Sequence, residues 1–144
     1  MWIRSGHVND MADLYALERN AFGEHCFPDF FFRQALDLWP SLLLVAEAGA
    51  GELAGYVLAA PGELAGEAWI LALAVNAECR GLGIGRRLLM DMLAVLEEKG
   101  FAQIKLTVHP DNPAKRLYVE LGFREAGYEP GYFGPGEPRM LMIR

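Results

Sequence analysis

Residues 79–89, CRGLGIGRRLL, set the tightest limit on how this chain can fold. Gly costs up to about 1 kcal/mol relative to Ala inside a helix, so Gly81, Gly83 and Gly85 read as a loop running into a helix start. The strongest helical pattern in the chain follows directly: Leu88, Leu89, Met92, Leu93 and Leu96 recur at three- and four-residue spacing within residues 84–99, and Gly100 ends the run. Such a helix exposes first-turn N–H groups without internal partners at the positive end of its macrodipole, and residues without side chains let an anion approach them. The loop suits a phosphate.

The rest of the chain punctuates clearly. WIRSG reads as a short strand, and Asn9 or Asp10 can cap a helix through about Phe22 with Leu14, Leu17 and Ala21 on one face. A second helix follows Pro28, with Asp29 as its cap and Phe32, Leu36 and Trp39 as its apolar stripe, and Pro40 closes it. LLLVAEA, GELAGYVLAAP and EAWILALAVN read as an antiparallel meander of three strands. After the strong helix come a strand AQIKLTV, a helix from about Pro113 to Leu121, a strand FREAGYE and a closing strand RMLMIR. This order predicts a mixed α/β fold in a single domain over 1–144, with helices on both faces of the sheet. EAWILALAV and AQIKLTV are expected to run parallel, joined by the strong helix as a crossover. The glycine loop then lies at the C-terminal end of a central strand, where open sheets of this type bind ligands.

Charge narrows the partners. The net charge of −6 argues against a nucleic-acid partner, which normally demands a basic surface. Residues 80–116 nevertheless carry +3 against −9 elsewhere, the pattern of one local anion site in an acidic body. No stretch reaches the roughly 18 to 20 apolar residues that span a bilayer, so no membrane partner is expected. MWIRSGHVND lacks the apolar core of a secretory signal, and Cys26 and Cys79 form neither a disulfide framework nor a metal-spaced cluster. A cytoplasmic, reduced protein without a metal is the simplest expectation, and a homodimer is compatible with it.

Three phosphate-binding loops compete for residues 80–87. A Walker loop needs Gly-Lys-Ser or Gly-Lys-Thr where this chain has Gly85-Arg86-Arg87. A dinucleotide fingerprint needs Gly at 86 or at 88, where Arg and Leu stand. R-x-x-G-x-G matches at Arg80, Gly83 and Gly85, after a strand ending LAV and before an amphipathic helix. Together with DNPAKRLYVELGF at 111–123, this resembles the GNAT superfamily of acyl-CoA-dependent N-acetyltransferases, over essentially the whole chain and in the order of its elements. The pattern is most similar to ribosomal-protein N-terminal alanine acetyltransferases, and it implies a largely antiparallel GNAT-like sheet of about seven strands.

The resemblance also implies roles. The backbone of Leu73, Ala74 and Val75 would pair with the pantetheine arm of acetyl-CoA. The N–H groups of Gly81, Leu82, Gly83, Ile84, Gly85 and Arg86 would hold its pyrophosphate, with charge from Arg80 or Arg86 at the rim and a further contact from Asn112. Tyr118 is the expected acid toward the leaving thiolate, because a phenol of pKa about 10 stays protonated at neutral pH. Asn112 and Tyr118 are six positions apart where many relatives have seven, which turns the side chain by roughly 100° unless the helix starts differently. A glutamate common in similar proteins is replaced by Thr107, so the base falls to His109, to Glu67 or Glu78 through water, or to ordered water alone.

FPDFFF at 27–32 and GYFGPGEPRML at 131–141 are candidate walls for the acceptor, a primary amine of a peptide or small molecule. The expected activity is acetyl transfer by direct attack in a ternary complex. A catalytically weak acyl-CoA sensor and a nucleotide-binding Rossmann-type protein stand as the alternatives.

Overall fold

The computed structural model describes residues 1–144, the side chain of Ala50 excepted. Strands β1 (Trp2–Ser5), β2 (Leu43–Glu47), β3 (Leu53–Pro61) and β4 (Glu67–Val75) pair antiparallel in succession. Helices α1 (Met11–Phe22) and α2 (Asp29–Leu38) lie between β1 and β2. The crossover α3 (Ile84–Glu98) delivers β5 (Gln103–Val108) parallel to β4, as the sequence predicts. After α4 (Ala114–Glu120), the closing strand β7 (Arg139–Ile143) slips between β5 and β6 (Arg124–Glu129), so the order is β1-β2-β3-β4-β5-β7-β6. The outer strand β6 is exposed at every residue and carries Arg124, Glu125 and Glu129, charges that protect a free sheet edge.

Alternation along the central strands divides the core into two layers. Val57 and Ala59 of β3 join Leu88, Leu89, Met92 and Leu96 of α3, whereas Tyr56 and Leu58 join Leu14, Phe32 and Ala35 of α1 and α2. The apolar stripe predicted for α3 is therefore its buried face. Gly100, at φ +90°, terminates α3, and the Phe101 N–H donates to the Leu96 carbonyl at 3.0 Å.

Two of the expected caps work differently. Neither Asn9 nor Asp10 caps α1 through its side chain. A 3-10 turn precedes the helix, His7 accepts the Asn9 N–H on Nδ1 at 3.1 Å, and Asp10 accepts the His7 N–H at 2.8 Å. Asp29 is the first residue of α2, not its cap, and accepts the Phe30 N–H at 2.8 Å. Trp39 lies just past the end of α2 and packs between the two layers. Asp10 was drawn away from capping by a cation: Arg4 on β1 donates to both its oxygens, at 2.8 and 3.0 Å.

The Arg4 guanidinium holds the Asp10 carboxyl below its ordinary value. A carboxylate depressed in this way stabilises the fold above its unfolded pKa of about 3.9, and that stabilisation is lost as pH falls through the folded value. Asp10→Asn is expected to cost about 2 kcal/mol at pH 7 and to flatten the loss of stability below pH 4, measured by urea unfolding across pH.

One irregularity opens the centre of the sheet. The β4–β5 pairing ends at Ile70–Leu106, and a bulge leaves Leu71 without a counterpart between the Leu58–Ala72 and Ala59–Ile70 pairs. Beyond that point β4 is bonded only to β3, and its edge from Leu71 to Val75 is open where the two parallel strands diverge.

Candidate active site

The glycine loop meets this open edge. Gly81 and Gly83 adopt φ +82° and +78°, a conformation L side chains rarely take, and nothing crowds either position, so backbone geometry alone demands glycine. Gly83 is the cap residue of α3 and offers no side chain to it. The first intrahelical bond runs from the Arg87 N–H to the Gly83 carbonyl at 3.1 Å, so the N–H groups of Ile84, Gly85 and Arg86 precede the helical ladder. No acidic residue occupies this first turn, although acids are the favoured residues at a helix's positive end, and Arg86 and Arg87 stand there instead.

A cleft of about 600 Å³ opens at this turn and is lined by ten of the eleven residues expected to hold a cofactor: Leu73, Ala74, Val75, Arg80, Gly81, Gly83, Ile84, Gly85, Arg86 and Asn112. Leu82 is the exception, 72% exposed and turned outward between its two glycines. Arg86 is bound to Glu120 of α4. The Asn112 Oδ1 accepts the Ala114 N–H at 2.9 Å and so starts α4, with Pro113 already in helical conformation.

A second pocket of about 300 Å³ adjoins the first through Phe22, Leu73 and Asn112. Tyr118, His109 and Thr107 line it. The Tyr118 ring is 7% exposed and meets Phe123 edge-on at 5.8 Å, so the shortened Asn-to-Tyr spacing does not turn it away. Burial alone pushes the Tyr118 hydroxyl up to about 12. His109 accepts the Asp111 N–H on Nδ1 at 3.1 Å, which places the proton of the neutral ring on Nε2 and makes that nitrogen a donor.

Neither glutamate considered beside His109 reaches this pocket. Glu67 lies at the far, paired end of β4, where Lys105 Nζ sits 2.6 Å from its carboxylate and holds it below the ordinary range. Glu78 is exposed in the turn after β4. Of the two aromatic segments, Phe27 and Phe133 line the pocket. Phe31 stacks on Phe27 at 4.4 Å, while Phe32 belongs to the core against Tyr56. His25, just before the first segment, lies 3.0 Å from Glu137 of the second.

Sequence reasoning missed Glu18. This residue of α1 is 1% exposed, lines the second pocket, and accepts hydrogen bonds from the Tyr56 hydroxyl and from the Phe27 N–H, the latter at 2.8 Å. Burial pushes its carboxyl above the ordinary range, against the two hydrogen bonds that pull it down. A signal was present: Glu18 stands within the stripe of Leu14, Leu17 and Ala21, a charge on a face that must be buried.

Residues 8–123 match the family model described as the acetyltransferase (GNAT) family. An uncharacterized N-acetyltransferase of Methanocaldococcus jannaschii is 34% identical over 150 residues, spanning 100% of this chain and 91% of that protein. An N-alpha-acetyltransferase of Sulfurisphaera tokodaii is 31% identical over 152 residues, spanning 97% and 90%. Among solved structures, the NatC complex bound to Gag peptide and CoA includes a chain of the same fold, with a TM-score of 0.89 at 20% identity, covering 99% of this chain and 96% of that one.

Proposed function

The chain belongs to the acetyltransferase (GNAT) family, and on that premise we propose that it moves an acetyl group from acetyl-CoA to the α-amino group of a peptide, by direct attack in a ternary complex. The observation that carries this reading is the open β4 edge, Leu71 to Val75, which runs from the donor-rich start of α3 to the second pocket. An extended arm with amide groups can pair with that edge as a further strand would, while its pyrophosphate occupies the first turn of α3. The thioester then lies at the junction of the two pockets, beside Leu73 and Asn112.

The chemistry divides between the walls. Tyr118 donates a hydrogen bond toward the departing sulfur. A phenol at about 12 is a weaker acid than an ordinary thiol of about 8.5, so it steadies the thiolate without giving up its proton permanently. Phe22, Phe27 and Phe133 exclude water from the acceptor side. A peptide α-amine, of pKa about 7.7–8.0, is far more often neutral at pH 7 than a lysine of about 10.4, which favours N-termini over side chains. The names of the relatives, N-alpha-acetyltransferase among them, support the same acceptor class.

Free CoA release from acetyl-CoA is expected with peptides bearing a free α-amine. The same peptides with a blocked N-terminus and an internal lysine should give at least about tenfold lower kcat/KM. Tight CoA binding with no thiol release from any peptide or small amine would favour the sensor reading instead.

A further inference from the structure

The pocket has no evident base in the place where the sequence leads one to look for it. Thr107 cannot accept a proton at neutral pH, Glu67 is held by Lys105 at the far end of β4, and the His109 Nδ1 lone pair is already taken by the Asp111 N–H. Glu18 is the one carboxylate lining the second pocket among the described residues. The other two buried acids both have a cation, Asp10 with Arg4 at 2.8 Å and Glu67 with Lys105 at 2.6 Å. Glu18 has only two neutral donors, Tyr56 and the Phe27 backbone, and a carboxylate offers about four acceptor positions. A buried charge without a counter-charge, on the wall of a pocket meant for an amine, is complemented by an ammonium group.

The geometry points to Glu18 as the proton acceptor of this pocket: it pairs with the incoming ammonium and takes one proton from it before nitrogen attacks. The inference rests on the acetyl-transfer reading above. The balance closes. The ammonium gives one proton to the Glu18 carboxylate, and its nitrogen lone pair forms the bond to the acetyl carbon. The carbon–sulfur bond breaks, and the second nitrogen proton goes to the departing thiolate. The carboxyl returns its proton to water as product leaves.

The surroundings leave the Glu18 carboxylate hydrogen-bonded but without an ion pair among the described residues. Tyr56 of β3 is the titratable group that touches Glu18, and Cys26 of the turn after α1 neighbours Tyr56 and lines the same pocket. β4 presents Ala72 and Ala74 on this side, α2 presents Phe32 and Ala35, and Asp29, Arg33 and Asp37 of α2 are exposed to solvent. His25, Tyr118 and Arg139 share the pocket, with His25 turned to Glu137 and the Arg139 guanidinium 4.8 Å from the Phe133 ring centre. Burial raises the Glu18 carboxyl, which makes it a better proton acceptor than an exposed carboxylate.

The test takes the free-amine peptide with the highest kcat/KM. Glu18→Gln is expected to lower kcat about 10²-fold at pH 7 and to regain activity as pH rises through the amine's own pKa near 8, whereas the wild type has an acid limb and is flat above it. In the dead-end complex with CoA, Glu18→Gln should bind the free-amine peptide at least about tenfold more weakly and its Nα-acetylated form equally well. Tyr56→Phe keeps the carboxylate and removes one hydrogen bond that lowers its pKa, so the acid limb should move up by about one pH unit. That variant decides the matter if Glu18→Gln does not fold. An active wild type, with wild-type kcat and acid limb in Glu18→Gln or an unmoved limb in Tyr56→Phe, overturns this inference and leaves the acetyl-transfer reading standing. A wild type that turns over no amine overturns both.

Discussion

Gly85→Asp is expected to leave the protein folded and to weaken CoA binding about 10³-fold, close to 4 kcal/mol. The two effects separate because of where Gly85 sits. Its φ is not in the left-handed region, and a Cβ there would meet Val75 Cγ2 at 3.5 Å and Leu117 Cδ2 at 3.8 Å, both ordinary contacts. An aspartate in the first turn of α3 also suits the helix dipole, worth about 0.3–1 kcal/mol in favour of the folded state. The same carboxylate puts a negative charge among the N–H groups of residues 84–86 that are proposed to receive the pyrophosphate, and like charges at that distance repel strongly. A thermal melt checks the first half and calorimetric titration with CoA the second. Unchanged CoA affinity would mean that the anion binds elsewhere.

Tyr118→Phe is expected to reduce kcat about 10³-fold while the dissociation constant for CoA stays within about twofold. The ring remains to pack edge-on against Phe123, so the fold loses little. Burial raises the hydroxyl, and its removal leaves the aromatic packing in place. Stopped-flow single turnovers should place the loss in the chemical step. With the hydroxyl at about 12, the wild type should also show no basic limb from this residue below about pH 10. A loss confined to KM would reassign Tyr118 to acceptor positioning.

Family and architecture were legible in one sequence because each depended on short-range rules. Leu88 to Leu96 declare a buried helical face by spacing alone, and Gly81 and Gly83 declare positive φ because no other residue takes it cheaply. The parallel placement of β5 followed from a helix between two apolar strands. Ten of the eleven expected cofactor residues line one cleft for the same reason: they belong to one strand, the loop after it and one cap. Leu82 turns its side chain to solvent, and its expected role rests on its backbone N–H alone.

The chemistry of the second pocket was not legible, since it depends on which residues meet across long separations. The sequence alone determined the elements, their order and the glycine-led start of α3, through backbone geometry and periodic burial acting within about a dozen residues. Only the tertiary structure decided that β4 and β5 part after Ile70 and Leu106, that Asp10 serves Arg4, and that Lys105 claims Glu67. It also decided that Glu18 is enclosed beside Tyr56 with no ion-pair partner among the described residues. A carboxylate's protonation and availability are set by the solvent it loses and the charges it meets, and those are properties of the packed molecule.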